Sequence, residues 1–396
     1  MRRRAQRSAS LERSPELLEQ VRNRLVGTGI AAEPTTVAAA LGQVDRPLGA
    51  AGVLARVPAV GAALTGAGPL QPLLDDPSVT DVLVNGPGEV WVDRGFGLIR
   101  SDPVVADEQE LRALAVRLAS SSGRRLDDAN PCVDARLSDG VRLHAVLPPI
   151  SPRGTLLSLR VPRRRNLTMD DLVSCGTVPS GWLPVLEAIV RQRLSFLVSG
   201  GTGSGKTTIL SSLLGLADPA ERMLLVEDAA ELRPALPHVV RLEARHGNVE
   251  GAGEVTLQDL VRQALRMRPD RIVVGECRGA EVRDLLAALN TGHEGGCGTV
   301  HANAAVDVPA RLEALGALAG MAPQAVASQA ASALDVVLHL RRDGGERRLC
   351  EVGVVQRSGG GLEVATALST VGGATVKGAA WPVLAERLGI AEGSVR

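Results

Sequence analysis

Gly200-Gly201-Thr202-Gly203-Ser204-Gly205-Lys206-Thr207 is a full match to G-x-x-x-x-G-K-[ST]. Phe196-Leu197-Val198 before it reads as a short buried strand, and a helix is expected to begin near Gly205. In that context the glycines let backbone N–H groups turn inward around phosphate oxygens, and the helix aims its positive end at them. Lys206 is expected to bridge the outer phosphates of a nucleoside triphosphate and Thr207 to ligate Mg²⁺. Gly200, Gly201, Thr202, Gly203, Ser204, Gly205, Lys206, Thr207 and the adjoining Thr208 make up the expected nucleotide site. Composition adds weight to the lysine. Of 44 lysines and arginines only Lys206 and Lys377 are lysine, so this position keeps a compact ammonium where the chain otherwise writes a planar fork.

Around this loop, residues 182–357 alternate helices with short apolar strands, the pattern of an α/β unit with a parallel sheet. Leu224-Leu225-Val226, Ile272-Val273-Val274 and Gly298-Thr299-Val300 are the further strands. Polar residues follow each one, at the carboxyl ends where open parallel sheets place ligands. Thr256-Leu257-Gln258-Asp259 predicts a capping box for a helix running to about Arg268, stopped by Pro269.

Three further constellations carry chemistry. Glu276 follows Gly275, which stands where a nucleotide-hydrolysing site ordinarily ends this strand in aspartate. A carboxylate there can orient or deprotonate water, and Arg278 is close enough in sequence to pair with it. Glu227-Asp228-Ala229-Ala230-Glu231 follows the second strand. Glu227 and Asp228 are expected at Mg²⁺, partly through water, and Glu231 among the catalytic groups; acids at a helix N-terminus would look the same. Thr291 to Asn303 holds His293 and His301 in a glycine-rich setting. His301 ends a strand and is expected to sense the terminal phosphate, while His293 either shares that task or braces the loop. No third ligand points to zinc.

Elsewhere the chain is less explicit. Its 396 residues predict two to three domains. Residues 1–66 read as a helical or mobile extension, with Leu17, Leu18, Val21 and Leu25 at helical spacing. Within and just beyond it, residues 47–70 are apolar but interrupted by Arg56, Pro58, Pro69 and glycines, and read as a loop or linker rather than a membrane span. Residues 67–161 predict a smaller α+β unit: strands at Val79–Asn85, Val90–Val92, Val133–Leu137, Val141–Val146 and Leu156–Val161, with a helix over 107–120. Residues 162–181 read as a linker carrying Arg163-Arg164-Arg165, either a solvated face or a contact for a neighbouring subunit or lipid headgroups. Residues 358–396, entered through Gly359-Gly360-Gly361, receive no assignment.

The formal net charge is +0 and aromatics are 1% with no tyrosine, so neither a basic field nor a stacking platform invites direct nucleic-acid contact. Five scattered cysteines without a C-x-x-C pair suit a reducing cytoplasm. Met1-Arg2-Arg3-Arg4 lacks the apolar core of a secretory signal.

In this order the four boxes (phosphate loop, acidic cluster, Gly-Glu strand, paired histidines) resemble the secretion-superfamily traffic ATPases, the hexameric motors of type II and type IV secretion and type IV pili. Leu74–Pro87, Val133–Gly140, Ala264–Arg271, Thr291–His293 and Thr299–Asn303 look most like the Tad/Flp pilus-assembly branch, the CpaF-like proteins. The likeness spans about residues 70–356 and lacks the tetracysteine zinc module of some type II members; Cys277 stands where the family often has a bulky aliphatic. The resemblance implies a RecA-like ATPase domain after an N-terminal domain, ATP and Mg²⁺ as cofactors, and a ring of six identical subunits. It also implies a cytoplasmic location, peripheral at the inner face of the membrane through an inner-membrane platform protein. By position it assigns Arg142 and Arg160 as arginines that reach the phosphates. The expected function is Mg²⁺-dependent ATP hydrolysis driving pilus assembly or secretion. A conjugation-like DNA-export ATPase and a silent nucleotide-binding scaffold are the alternatives; a small-molecule kinase would need an acceptor lid that the sequence does not display.

Overall fold

The computed structural model describes residues 20–21, 24, 34–44, 49–64, 66–95, 97–102, 105, 107–162, 166–245, 253–391 and 393. Met1–Arg4, Leu17, Leu18, Leu25 and Arg163–Arg165 lie outside them. The chain forms two compact units, Met1–Arg164 and Arg165–Arg396.

In the first unit six strands form one sheet: β1 (Asp81–Val84), β2 (Val90–Asp93), β3 (Leu98–Arg100), β4 (Cys132–Arg136), β5 (Arg142–Val146) and β6 (Leu156–Arg160). Their order is β3-β2-β1-β6-β5-β4, every neighbouring pair antiparallel. Val82, Val84, Val90, Val92, Leu143, Ala145, Leu157 and Leu159 alternate onto one buried face. Two helices lie N-terminal to the sheet, α1 (Pro34–Val44) and α2 (Gly49–Leu64); a short α3 (Gln71–Asp75) leads into β1, and α4 (Glu108–Ser121) buries Leu111, Leu114, Ala115 and Leu118 in the same core.

Helix α2 corrects the expectation of a loop over 47–70. Its glycines and Pro58 read as breakers, yet alanine dominates the segment and favours helix. Its Val60 also packs with Val37 and Leu41 of α1, which offsets the single hydrogen bond a proline removes. No helix among the described residues is long and apolar enough to cross a membrane.

The second unit is built on nine strands: β7 (Phe196–Gly200), β8 (Met223–Glu227), β9 (Val239–Glu243), β10 (Arg271–Val274), β11 (Cys297–Val300), β12 (Val336–Asp343), β13 (Glu346–Ser358), β14 (Gly361–Val371) and β15 (Ala374–Lys377). The order is β15-β14-β13-β12-β7-β11-β10-β8-β9. From β12 to β9 all pairs are parallel; β13, β14 and β15 add an antiparallel edge. β7, β8, β10 and β11 are buried throughout, as expected where helices cover both faces. One face carries α5 (Met169–Ser174), α6 (Leu183–Arg191), α7 (Lys206–Leu214) and α12 (Trp381–Leu388); the other carries α8 (Leu257–Ala264), α9 (Glu281–Leu289), α10 (Val308–Leu318) and α11 (Pro323–Ala333).

Three details depart from the sequence reading. Met169, Leu172 and Val178, within the stretch expected as a linker, are buried in the second unit's core, because a Thr168–Asp171 capping box starts α5 there. The stretch after residue 357 is not a separate tail: β14, β15 and α12 continue the sheet and bury Ala367, Leu368, Trp381 and Leu384. Gly359 and Gly360, at φ of 57° and 86°, make the two-residue turn that a tight hairpin needs. Helix α8 has its Thr256–Asp259 capping box but ends at Ala264, short of Arg268. That residue takes a left-handed φ of 53° before Pro269, where the helical region is disfavoured.

Candidate nucleotide site

The parallel order β7-β11-β10-β8 sets four carboxyl ends side by side. From them come Gly200, His301, Glu276 and Glu227 respectively. The glycine loop bridges β7 and α7. A methyl group at Gly200 would lie 2.5 Å from the Leu340 carbonyl oxygen and 2.6 Å from Ser204 Oγ, so the loop can only form with no side chain there. Gly203 and Gly205 adopt φ of 70° and 96°, which L side chains rarely take.

Lys206 is buried and curls over its own loop, Nζ donating to the Gly200 and Gly201 carbonyls at 2.9 Å each. It also lies 3.3 Å from His301 Nδ1. An ammonium has no lone pair to offer, so Nδ1 accepts and the neutral ring carries its proton on Nε2. That nitrogen is 2.6 Å from Glu276 Oε1. Among the described residues no well-directed hydrogen bond reaches Oε1, so the neutral ring and the carboxylate are held in close approach. Glu276 Oε2 accepts from Arg278 Nη2 at 2.6 Å, and Arg278 Nη1 lies 3.9 Å from Asp228 Oδ2. A chain of ionisable groups, Lys206–His301–Glu276–Arg278–Asp228, therefore runs along the mouth of the loop.

Burial pulls the Lys206 ammonium below the usual lysine range, with Glu276 opposing. For Glu276, burial pushes upward, but the Arg278 hydrogen bond and charge, with His301 and Lys206, outweigh it and leave the carboxyl below its ordinary value. Burial and the Lys206 charge push the His301 imidazole down despite Glu276. At neutral pH the trio is thus ammonium, neutral imidazole and carboxylate.

Glu227 and Asp228 were expected at the metal. Glu227 Oε1 instead accepts from the backbone N–H groups of Glu231 and Leu232 at 2.9 Å each; its Oε2, buried, finds no hydrogen-bond partner among the described residues, and burial raises its carboxyl above the usual range. Asp228 faces Arg278. The carboxylate beside Thr207 is Glu231, with Oε2 accepting from Thr207 Oγ1 at 3.3 Å. Among the described residues no three His, Cys, Asp or Glu side chains converge as a metal cage. Thr207 with one neighbouring carboxylate is the kind of partial shell Mg²⁺ takes when phosphates and water supply the rest, and the loop with its lysine suits the phosphates themselves.

His293 stands apart from this chain: its Nδ1 donates to the Ala288 carbonyl of α9 at 3.1 Å. Cys277 is buried beside the site and burial pushes its thiol far up, leaving it inert. Arg142 and Arg160 belong to the first unit, where they are direct cross-strand partners on β5 and β6. Arg136 on β4 is in turn the partner of Arg142. The sequence reading passed over Arg136, because only strand register reveals that the three form a row.

A parallel sheet with a glycine loop after a central strand, a lysine at its mouth and acids at the neighbouring carboxyl ends defines a RecA-like phosphate-loop domain, here preceded by a smaller α+β domain. The family described as Type II/IV secretion system protein matches residues 63–372, and the chain belongs to that family. It is 56% identical over 326 residues to a Mycobacterium tuberculosis protein assigned provisionally to conjugal transfer, covering 81% of this chain and 93% of that one. It is 32% identical over 284 residues to the conjugal transfer protein TrbB of Rhizobium radiobacter, covering 70% and 84%. The fold is also similar to that of the Legionella pneumophila ATPase DotB, with a TM-score of 0.50 and 22% identity over 72% of this chain and 79% of DotB.

Proposed function

We propose that this protein is an Mg²⁺-dependent ATPase that works as a homo-hexameric ring in the cytoplasm, held at the inner face of the membrane by a platform protein. The observation that carries the reading is the Lys206–His301–Glu276 chain: a phosphate-binding ammonium, a neutral imidazole and an ionised carboxylate within 3.3 Å and 2.6 Å of one another. Bound Mg²⁺ would neutralise developing charge on the phosphates. Thr207 and Glu231 would hold that ion, with Glu227 bracing the Glu231 backbone. Glu276 would orient the attacking water, His301 would couple the terminal phosphate to Glu276, and Lys206 would bind the phosphates. Arg142 and Arg160 are assigned to the phosphates by family position. Strand register sets Arg136, Arg142 and Arg160 side by side, with Asp81 beyond Arg160, and a row of three guanidinium groups suits a phosphate.

The family supports a role in secretion or pilus assembly, of which a Tad/Flp-like pilus is one form. A conjugal DNA-export role has its own support in the names of the relatives from M. tuberculosis and R. radiobacter. The intact Lys206, His301 and Glu276 set speaks against a silent scaffold. Phosphate release from purified protein with ATP and Mg²⁺, beside Lys206→Ala, tests the enzyme: equal release by both would sink it. Mass in solution with and without nucleotide tests the ring. Neighbouring pilin and prepilin peptidase genes, against relaxase and coupling-protein genes, separate the two export roles.

A further inference from the structure

Strand β12 lies beside β7 with Leu340 opposite Gly200, so the β12–β13 hairpin projects past the end of β7 alongside the glycine loop. Across the hairpin Arg342 pairs with Arg347, and Arg341 with Arg348. The hairpin's acids serve the second pair: Asp343 lies 3.6 Å from Arg341 and Glu346 lies 2.6 Å from Arg348. The first pair stands against the loop. Arg347 Nε donates to the Gly203 carbonyl at 2.9 Å. A methyl group at Gly205 would lie 3.3 Å from Arg347 Cδ, and one at Gly203 would lie 3.2 Å from Arg342 Nη1.

We propose that the β12–β13 hairpin is a working part of the nucleotide site, with Arg347 as a positioning residue for the glycine loop and Arg342 as a second cation for the phosphate tail. A phosphate loop binds through N–H groups that face inward, which requires its carbonyls to face outward and be satisfied there. Lys206 takes two of those carbonyls, Gly200 and Gly201, and Arg347 takes a third, Gly203. Drawing the Gly203 carbonyl toward the hairpin fixes the peptide planes on either side of the loop's midpoint. Arg342, exposed and directly opposite Arg347 across the hairpin, is set to lend its charge to the same anion. The hairpin contact comes from the far edge of the parallel sheet and is separate from the chain through His301 and Glu276.

This inference rests on the ATP-site reading, and the test separates the two. With full-length protein, a fluorescent ATP analogue gives Kd and phosphate release gives KM and kcat. Arg347→Ala should weaken binding and raise KM about tenfold, the loss of one hydrogen bond that conditions a charged ligand, with a smaller change in kcat. Arg347→Lys, or free guanidinium added to Arg347→Ala, should recover most of the affinity. Arg342→Ala should weaken ATP binding at low salt and lose that effect at high salt, because its charge is exposed and screened. Unchanged Kd and KM in both alanine variants would overturn the proposal while leaving the ATP site standing. So would a lowered melting temperature of Arg347→Ala with KM unmoved and no guanidinium rescue, which marks a merely structural contact. Wild-type protein that retains no ATP analogue would instead remove the reading on which the proposal stands.

Discussion

Glu227 fills the space that any side chain at residue 275 would need: a methyl group on Gly275 would lie 2.7 Å from Glu227 Cγ. The space that an aspartate side chain would ordinarily take at the end of β10 is thus given over to the Glu227 stem from the neighbouring strand β8, whose carboxylate braces the Glu231 backbone. The glycine is the condition for that exchange, since β8 and β10 are paired one register step earlier, Val226 opposite Val274.

The pairing makes a first prediction. Gly275→Asp should destabilise the second unit by about 1–3 kcal/mol through overpacking, read as a lower denaturation midpoint. Adding Glu227→Ala should recover part of that loss by clearing the space. A double variant no better than the single one would mean the two positions do not compete.

The buried Glu227 carboxyl makes a second. Burial raises its pKa above the ordinary 4.5, against the pull of two backbone N–H donors. As pH climbs past 4.5 the unfolded chain loses this proton while the folded chain still holds it, so stability falls until pH passes the folded value. Above that window wild type carries the full cost of the buried charge. Glu227→Gln removes this contribution. Denaturation midpoints at pH 4.5 and 7.5 should therefore drop more for wild type than for the variant; equal drops would show that no raised carboxyl is there.

How far the sequence could be read follows from how local each feature is. The glycine loop and the strands before and beside it declared themselves because their signals are contiguous: a motif, an apolar run, a polar residue after it. The Thr256–Asp259 cap was legible for the same reason. Helix α2 was missed because glycines and Pro58 mask a helix whose support comes from Val37 and Leu41 on another element. The Thr207–Glu231 contact spans 24 residues and needs the loop after β8 to fold back, so spacing alone favoured Glu227 and Asp228. Arg136 and Arg347 became visible only through strand register, since one arginine among so many carries no local mark.

Glu276 and His301 make the third prediction. Glu276→Gln should retain ATP but lose roughly 10²–10⁴-fold in turnover, the range for a positioned base. The same change removes the charge that raises the His301 pKa. His301 should then titrate at still lower pH, as an NMR titration of the ring would report. An unmoved imidazole would show that the 2.6 Å contact is not kept in solution.

For the row on the first sheet, Arg142→Ala and Arg160→Ala should each abolish most ATP turnover while the melting temperature holds. Neither side chain is buried, and substitutions outside the core usually shift stability by about 0.5 kcal/mol or less. Wild-type turnover in both would withdraw these arginines from the phosphates, and a steep fall in melting temperature would make them structural instead.

The last prediction concerns the antiparallel edge. A chain ending after residue 357 would lose β14, β15 and α12. Leu368, Trp381 and Leu384 are buried in the cluster that also holds Leu186, Ile189, Leu210 and Leu213 of α6 and α7, and burying each large apolar side chain is worth about 1.5–3 kcal/mol. Against a domain stability of roughly 5–15 kcal/mol, removing several at once leaves too little. The shortened chain should lack a cooperative unfolding transition and should bind no ATP analogue, because α7, whose first residue is Lys206, packs in the same cluster. Cooperative melting with normal nucleotide affinity would mean that this edge is an appendage and that the phosphate loop stands without it.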